Sequence, residues 1–394
     1  MLSSLERMLR FAFDRRAIPF ARNYLLGRPF YASFDITTLC NLRCEGCDYP
    51  VLLGKNMLGA DIPLAVLEKR TETLGQAFGS LVVVLAGFEP TIRRDLADII
   101  SSASQHHYVG MVTNGTLINR ERAEAYWAAG LAFASVSMPA FEDERFKAIT
   151  GVSRYGVADI EKAIETLIAT APQAGLVAIT ATIDNKTTPG EMKRLAAYAQ
   201  SKGALVSFQP YSSSKPASAE PQYDLKSDER AIQPDTVQTI FNGSIADAII
   251  QLKRDHPNVV GRDTALRNFD TFVREGTIPF RPRALKIYTN GDISLYPEGE
   301  VFSNADKAPE EIAQDHTTYT RTLKERGPLR ANNCYRCVNL TNPSPLLEQL
   351  ASIRQRSWSS SVNAAGSGEV TESTPTTSPS DHSGSAIIDR IVKG

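Results

Sequence analysis

The sequence has few cysteines, almost no net charge and no long apolar run, and each shortage narrows the possible functions. A formal net charge of −1 over 394 residues provides no basic field for binding nucleic acid. No run of about 20 apolar residues occurs, so the sequence predicts no membrane-spanning helix. The five cysteines are few and odd in number, which argues against a disulfide framework.

The first 29 residues do not resemble a signal peptide, because they lack a clean apolar core and a small-residue cleavage site. We therefore expect a cytoplasmic protein, in which clustered cysteines bind metal more often than they form disulfides. Met8, Leu9 and Phe11 share this segment with Arg7 and Arg10. It is either a helix that caps the main domain or an amphipathic helix in peripheral contact with a membrane or a partner.

Between residues 30 and 212, β-rich segments alternate with segments of helical periodicity. The alternation predicts strands at 30–39, 80–87, 108–115, 133–140, 175–184 and 205–212, and helices at 63–78, 92–106, 119–130, 158–171 and 190–203. Strict alternation of this kind is typical of a parallel sheet with right-handed crossovers. An open doubly wound sheet and a barrel fit the pattern equally well.

In either architecture, catalytic and ligand-binding residues lie at the carboxyl ends of the strands. The notable residues that fall there are polar residues, cysteines, glycines and one proline: Cys40, Cys44, Cys47, Gly87, Glu89, Pro90, Thr113, Asn114, Gly115, Ser135, Ser137, Thr182, Asn185 and Gln209. We expect these residues to meet at one rim of the sheet.

The pattern changes after residue 212. A polar stretch is followed by helical spacing at 235–256 and 263–275, a hairpin signal at 284–304 and a helix at 309–327. The chain from 357 to 385 is rich in Ser, Thr, Gly and Pro and is predicted to be disordered. The expected organisation is a helical segment at 1–29, a βα domain at 30–212, a helical connection at 213–283, a small extension at 284–345 and a mostly disordered tail at 346–394.

Three cysteines lie within CNLRCEGC, residues 40–47. A structural zinc site is coordinated by four protein ligands, and this segment supplies no fourth. A disulfide would leave one thiol unpaired. A four-iron cluster held by Cys40, Cys44 and Cys47 fits better than zinc or a redox thiol site, because it leaves one iron open for a substrate or cofactor.

CNLRCEGC resembles the CxxxCxxC signature of the radical S-adenosylmethionine (radical SAM) superfamily, and the resemblance covers residues 30–212 well and 284–340 more loosely. It implies an α/β fold, a partial (β/α)6 TIM-like barrel with a small α+β C-terminal extension. It also implies a [4Fe-4S] cluster, S-adenosylmethionine (SAM) and an electron donor such as flavodoxin or ferredoxin. In this family, reductive cleavage of SAM gives a 5′-deoxyadenosyl radical that abstracts a hydrogen atom from the substrate.

AGFEP, residues 86–90, resembles the Gly-Gly-Glu-Pro motif whose backbone and glutamate contact the amino group of SAM in this family. Gly87, Glu89 and Pro90 match the motif, whereas Phe88 replaces its second glycine. If that position required a positive φ, Phe88 would be strained. The alternative interpretation of Glu89 is a solvent-exposed turn carboxylate.

The remaining candidate SAM contacts are less specific. They are Asn114, Ser135, Ser137, Thr182 and Asn185. For the strand residues among them, ordinary hydrogen bonding within the sheet is an equally good interpretation. Tyr49 is a weak candidate for the adenine contact. Arg145 and Lys147 are expected to be surface charges.

Cys334 and Cys337, with the preceding hairpin, resemble a degenerate SPASM or twitch extension, which in peptide-modifying radical SAM enzymes binds auxiliary clusters. Two thiolates cannot hold a conventional four-cysteine cluster. Asp292, Tyr296 and His316 are conceivable further ligands, but no spacing selects them. We expect an extension that keeps its fold and has lost its cluster, with a partial cluster or a zinc site as the alternative.

Three functions are compatible with these residues. The first is hydrogen abstraction from a peptide or a small natural product, and the second is addition of the adenosyl radical to a lipid or isoprenoid. The third is a non-catalytic metal-binding protein, against which the intact Cys40, Cys44, Cys47 and Glu89 argue. Nucleic acid is not an expected partner.

Overall fold

The computed structural model describes residues 14–45, 47, 49–56, 59, 61–211, 230, 232, 234–275, 278–279, 283–295, 300–325 and 330–331. The predictions made for residues 1–13, for Tyr296, Cys334 and Cys337 and for the tail lie outside the described residues. No helix within these ranges is both long and apolar enough to cross a bilayer.

The six predicted strands are present and form one parallel sheet. They are β1 (Tyr31–Thr37), β2 (Val82–Gly87), β3 (Tyr108–Thr113), β4 (Leu131–Ser137), β5 (Leu176–Ile183) and β6 (Leu205–Pro210). Each strand pairs with the next in chain order. A doubly wound sheet reverses its strand order at a switch point, so this continuous order is that of a barrel. Strand β6 lies at one edge of the sheet, which makes the barrel partial.

The five predicted helices of the βα domain are also present, joined by three others. The helices in this part of the chain are α1 (Ala17–Leu26), α2 (Tyr49–Gly54), α3 (Leu64–Phe78), α4 (Leu96–Ser104), α5 (Arg120–Ala128), α6 (Asp143–Thr150), α7 (Val157–Thr170) and α8 (Pro189–Lys202). The sequence reasoning missed α2 and α6, which have only six and eight residues and lie in loops at the carboxyl rim. Asn119 caps α5, since its side chain accepts a hydrogen bond from the Arg122 amide at 2.9 Å.

The remaining described elements form a connection and an extension. They are α9 (Pro234–Ile240), α10 (Ile245–Asp255), α11 (Asp263–Leu266), α12 (Asn268–Glu275), β7 (Ile278–Pro279), β8 (Ala284–Ile287), β9 (Asp292–Leu295), β10 (Val301–Asn304), α13 (Pro309–Glu325) and β11 (Arg330–Ala331). Strands β8 and β9 form the predicted antiparallel hairpin.

The extension continues the barrel sheet. Strand β8 pairs in parallel with β1, so β8, β9 and β10 extend the six strands to nine. On the outside, the buried guanidinium of Arg70 in α3 contacts Asp306 at 2.7 Å and donates to the Thr289 carbonyl at 2.9 Å. Inside, Lys286 of β8 forms an ion pair with Asp35 of β1. These contacts fix the hairpin against the first strand.

The two faces of the sheet differ in polarity. One face carries apolar side chains such as Phe34, Leu85 and Ile179, which pack under the helices in the main hydrophobic core. The alternate residues point to the opposite face. Towards the carboxyl ends of the strands, that inner face carries the polar residues Asp35, Ser135, Ser137, Thr180, Thr182, Ser207 and Gln209. A barrel with a polar interior can accommodate a polar ligand at its mouth.

Helix α1 closes the opposite end of the barrel. Phe20 packs edge-to-face on Phe30 and Tyr108, with ring centroids 6.1 and 5.7 Å apart, next to the first residues of β1 and β3. The side-chain amide of Asn23 donates to the Phe78 carbonyl at 2.6 Å, just before β2. The described part of the N-terminal segment therefore caps the barrel.

His107 lies directly below β3 and is fully buried. Its Nδ1 accepts a hydrogen bond from the Leu81 amide at 3.2 Å, and its Nε2 contacts the Thr71 carbonyl at 2.8 Å. These two partners select the neutral tautomer protonated at Nε2. Burial lowers the pKa of His107 to about 4.

This depressed pKa predicts a specific loss of stability in acid. Above pH 6.5 His107 is neutral in both the folded and the unfolded chain and contributes no pH dependence. Between pH 6.5 and about 4 only the unfolded chain binds the proton, so the free energy of unfolding falls by on the order of 3 kcal/mol. Denaturant unfolding across this range should show a shallower fall for His107→Gln than for the wild type. Equal slopes would contradict the assignment.

Candidate functional site

The cysteine loop follows β1 and is fixed by helix α6. The Arg43 amide donates to the Thr150 carbonyl at 2.9 Å, and the Glu45 amide donates to the Ile149 carbonyl at 2.8 Å. Gly151 has φ 68°, and a Cβ there would lie 2.4 Å from the Arg43 carbonyl oxygen. Only glycine allows this close approach.

The three cysteines of this loop are half-buried free thiols. The sulfur of Cys40 lies 3.4 Å from the Leu42 amide, and that of Cys47 lies 3.5 Å from the Tyr49 amide. Burial raises the pKa of Cys40 to about 11 and that of Cys44 to about 12, and the charges of the neighbouring thiolates add to both shifts. Metal binding at these cysteines would therefore release protons.

These residues fit a metal cluster by the chemistry of the donor set. Three thiols of one short loop lie close enough to raise one another's pKa, and backbone amides point at two of the sulfurs. Thiolates and amide hydrogen bonds to sulfur are the normal environment of an iron–sulfur cluster. Within the described residues, no three His, Cys, Asp or Glu side chains form a group that could hold a single metal ion.

The segment 86–90 lies against the base of the cysteine loop. Gly87 has φ 110°, and a Cβ there would lie 2.4 Å from the Thr37 carbonyl oxygen. Phe88 is not among the described residues with positive φ, so the glycine-to-phenylalanine difference produces no backbone strain. The ring of Phe88 instead packs on Tyr49, with centroids 5.0 Å apart.

Tyr49 is buried between Phe88 and Arg43, whose guanidinium lies 5.0 Å from the tyrosine ring centroid. The exposed fraction of Tyr49 is only 4%, so its ring offers no open face to an adenine. The suggestion that Tyr49 contacts adenine is therefore wrong. Its position identifies it as the packing partner of Phe88.

Glu89 is fully buried, so the interpretation as an exposed turn carboxylate is wrong. Its Oε1 accepts from the Thr91 amide at 3.0 Å, the Thr91 hydroxyl at 2.5 Å and the Thr113 hydroxyl at 2.7 Å, while Oε2 accepts from the Asn114 amide at 2.7 Å. Burial raises the pKa of Glu89, and these four hydrogen bonds oppose the rise. The Glu89 amide donates to the Leu39 carbonyl at 2.9 Å. One residue thus connects the ends of β1, β2 and β3.

Asn114 extends this connection to the cysteine loop. Its side-chain amide donates to Oδ1 of Asn41 at 2.9 Å, and Asn41 donates to the Thr116 hydroxyl at 2.8 Å. The loop after β3 and the loop after β1 are thereby joined next to Cys40. Pro90 is buried and begins the short 3₁₀ turn Pro90–Ile92.

The other predicted site residues lie on the inner face of β4 and β5. The Ser135 hydroxyl is buried and lies 2.7 Å from the Thr180 hydroxyl. This contact agrees with ordinary hydrogen bonding within the sheet, the alternative to a SAM contact. Ser137 and Thr182 lie closer to the rim and are half-buried. Asn185 follows β5, and its amide donates to the Arg230 carbonyl at 3.1 Å.

A network of charged residues borders the cysteine loop, and the sequence reasoning missed most of it. Buried Asp184, at the end of β5, contacts Arg145 at 2.5 Å and Arg230 at 3.0 Å. Arg145 also contacts Glu191 at 2.5 Å, and Arg230 donates to the Glu45 carbonyl at 3.2 Å. The prediction that Arg145 is a surface charge is wrong, because it is the ion-pair partner of a buried carboxylate.

Lys147 does pair at the surface with Asp143 in the same helix. Asp184 directly follows a predicted strand, so the strand-end argument could have found it. Arg230 lies beyond the polar stretch after β6, and no local pattern marks it.

Comparison with known proteins supports the βα domain. Residues 34–199 match the family model of the Radical SAM superfamily. A GTP 3′,8-cyclase of Stenotrophomonas maltophilia is 35% identical over 160 residues, 39% of this chain and 45% of that protein. A probable GTP 3′,8-cyclase of Thermoplasma volcanium is 33% identical over 132 residues, 33% of this chain and 39% of that protein. The match thus spans less than half the length of these relatives.

Solved structures support the fold over a longer part of the chain. Streptococcus suis SuiB bound to the precursor peptide SuiA has a TM-score of 0.53 at 14% identity, covering 79% of this chain and 70% of SuiB. Native anSMEcpe with bound AdoMet and the Kp18Cys peptide has a TM-score of 0.52 at 15% identity, covering 74% and 83%. At these identities the likeness shows a shared fold.

The hydrogen bonds of Glu89 predict a structural role that is measurable before any cofactor is bound. Glu89→Ala would leave the Thr91 and Asn114 amides and the Thr113 hydroxyl buried without their acceptor. We expect the free energy of unfolding of the cofactor-free chain to fall by about 3 kcal/mol or more. Glu45→Ala, at an exposed carboxylate of the cysteine loop, is the control and should change it by less than about 0.5 kcal/mol. Equal stability of the two variants would contradict this role.

The contact between Phe88 and Tyr49 predicts energetic coupling. In a double-mutant cycle with Phe88→Leu and Tyr49→Leu, the two losses of unfolding free energy should be non-additive by about 1 kcal/mol. Phe302→Leu removes a ring that stacks on Tyr319 in the extension and serves as the reference partner for Phe88→Leu. Coupling no larger with Tyr49 than with Phe302 would show that the ring pair does not stabilise the loop.

Proposed function

We propose that this chain, whose residues 34–199 match the family model of the Radical SAM superfamily, cleaves SAM reductively to start hydrogen abstraction from a peptide or small-molecule substrate. The family implies an enzyme with a [4Fe-4S] cluster and SAM as cofactors. When bound, they supply the 5′-deoxyadenosyl radical chemistry. The observation that carries the proposal is the loop with three cysteines and no fourth, inside the matched residues and fixed to the strand ends by Glu89 and Asn114.

In this proposal Cys40, Cys44 and Cys47 hold the cluster, and the residues around them hold and orient SAM. The backbone of Gly87 to Pro90 meets the methionine end of SAM. Glu89 is a positioning residue, because all four of its hydrogen bonds go to the protein and fix that backbone.

The polar inner face of the barrel provides the remaining contacts that we propose. Ser137 and Thr182 are half-buried near the rim. In this proposal they contact the ribose or carboxylate of SAM. Asn114 follows β3, and Asn185 follows β5, the strand that carries Thr182. Ser135, hydrogen-bonded to Thr180, supports the strand pair from below.

Two classes of substrate have support from similar proteins. SuiB and anSMEcpe, which share the fold, are both seen with bound peptides, and this favours a peptide. The GTP 3′,8-cyclase relatives favour a nucleotide or another small molecule. The polar interior suits either class. A one-electron donor such as flavodoxin or ferredoxin completes the proposed reaction.

The reaction is tested by anaerobic reconstitution with iron and sulfide. We expect about four iron atoms per chain and, after reduction with dithionite in the presence of SAM, formation of 5′-deoxyadenosine and methionine. Cys44→Ala should lose both the iron and the 5′-deoxyadenosine, since two thiolates remain at the site.

Cys334→Ala combined with Cys337→Ala is the matched control and should keep about four irons. About eight irons in the wild type would instead show a second cluster in the extension. Absence of 5′-deoxyadenosine with every reductant would refute the proposed reaction, whereas a substrate–adenosine adduct would identify addition rather than hydrogen abstraction.

A further inference from the structure

The outward face of helix α1 is apolar where a solvated helix is normally polar. The exposed fractions of Ile18, Leu25 and Leu26 are 75%, 65% and 61%. Three of the six large exposed apolar side chains in the described part of the chain thus lie on one ten-residue helix. With 3.6 residues per turn, these positions share one side of the helix, with Arg22 between them.

The apolar residues of this outward face are separate from the residues through which α1 packs on the core. The opposite side of α1 already packs into the barrel through Ala17, Phe20, Asn23 and Tyr24. The helix is therefore apolar on both sides, a pattern typical of a helix whose second side is also covered.

The charged residues of helix α1 and of its two ends have one sign from residue 15 to residue 28. Arg15, Arg22 and Arg28 are exposed at the start, the middle and the end of the helix, and no Asp or Glu occurs between residues 15 and 28. The only nearby carboxylate in the preceding described residues, Asp14, pairs with Arg16 at 2.7 Å. Aliphatic side chains flanked by arginines with long apolar stems are the composition of a helix that lies in a membrane interface.

We infer that the outward face of α1, formed by Ile18, Arg22, Leu25 and Leu26, binds the surface of an anionic lipid bilayer. The aliphatic side chains would enter the acyl boundary, and the arginines would contact anionic headgroups. A second copy of the chain fits less well, because a stable dimer buries roughly 800 Å² on each partner and this face presents only one short helix.

Binding through α1 would fix the orientation of the protein on the bilayer. Helix α1 lies at the amino ends of the strands, whereas the cysteine loop lies at their carboxyl ends. Docking through α1 would point the mouth of the barrel away from the bilayer. A substrate would then arrive from the aqueous side, which does not favour a membrane-embedded lipid. Binding of α1 to a bilayer does not depend on the proposed SAM chemistry.

Co-sedimentation of the full chain with vesicles tests it. We expect binding to phosphatidylglycerol–phosphatidylcholine vesicles, weak binding to pure phosphatidylcholine vesicles, and loss of binding as salt increases. The triple variant Ile18→Gln, Leu25→Gln, Leu26→Gln should bind at least about tenfold more weakly, and Arg22→Gln about fivefold more weakly. Ile240→Gln, at an exposed apolar residue of α9, is the matched control and should bind like the wild type.

Thermal unfolding of each variant shows whether the fold is retained. Because the changed side chains are exposed, the melting temperatures of the variants should match that of the wild type. Undiminished binding of the triple variant would overturn the inference, as would equal binding to neutral vesicles. A concentration-dependent dimer in light scattering that the triple variant abolishes would also overturn it, in favour of a second copy as the occupant.

Discussion

The buried carboxylate of Glu89 is the contact on which the site depends. Its two oxygens accept four hydrogen bonds from residues 91, 113 and 114, and its amide is bonded to the loop after β1. A carboxylate removed from water is stable only with such partners, and buried donors without an acceptor are costly in turn. The ends of three parallel strands therefore have one arrangement that satisfies all of these groups, and the cysteine loop starts from that arrangement.

The departures from the common family pattern are accommodated by specific neighbours. Phe88 replaces a glycine, and its ring packs on Tyr49 at the start of α2. The backbone conformation that favours glycine occurs one residue earlier, at Gly87, which has φ 110° and lies against the Thr37 carbonyl of β1. The substitution therefore changes the packing of the cysteine loop without straining the segment that follows β2.

The charged network of Asp184 gives the loop a second attachment. Arg230 returns from beyond β6 and contacts both Asp184 and the Glu45 carbonyl, so the end of β5 is connected to the cysteine loop. At the other edge of the sheet, β8 pairs with β1 and Lys286 pairs with Asp35. The strand that precedes the cysteines is thus held from both sides, which limits how far the loop can move.

The sequence by itself determined the elements and the chemistry of the cysteines. Alternating periodicity located β1 to β6 and their five long helices, because a buried parallel strand and an amphipathic helix each need a run of apolar residues at a fixed period. The spacing of Cys40, Cys44 and Cys47 and the strand-end position of Glu89 were equally visible. Only the tertiary structure decided between a barrel and an open sheet. It also determined that Glu89 and Tyr49 are buried, and it brought Arg145, Asp184 and Arg230 together. Strand order and contacts between residues distant in sequence follow from packing, which no local pattern encodes.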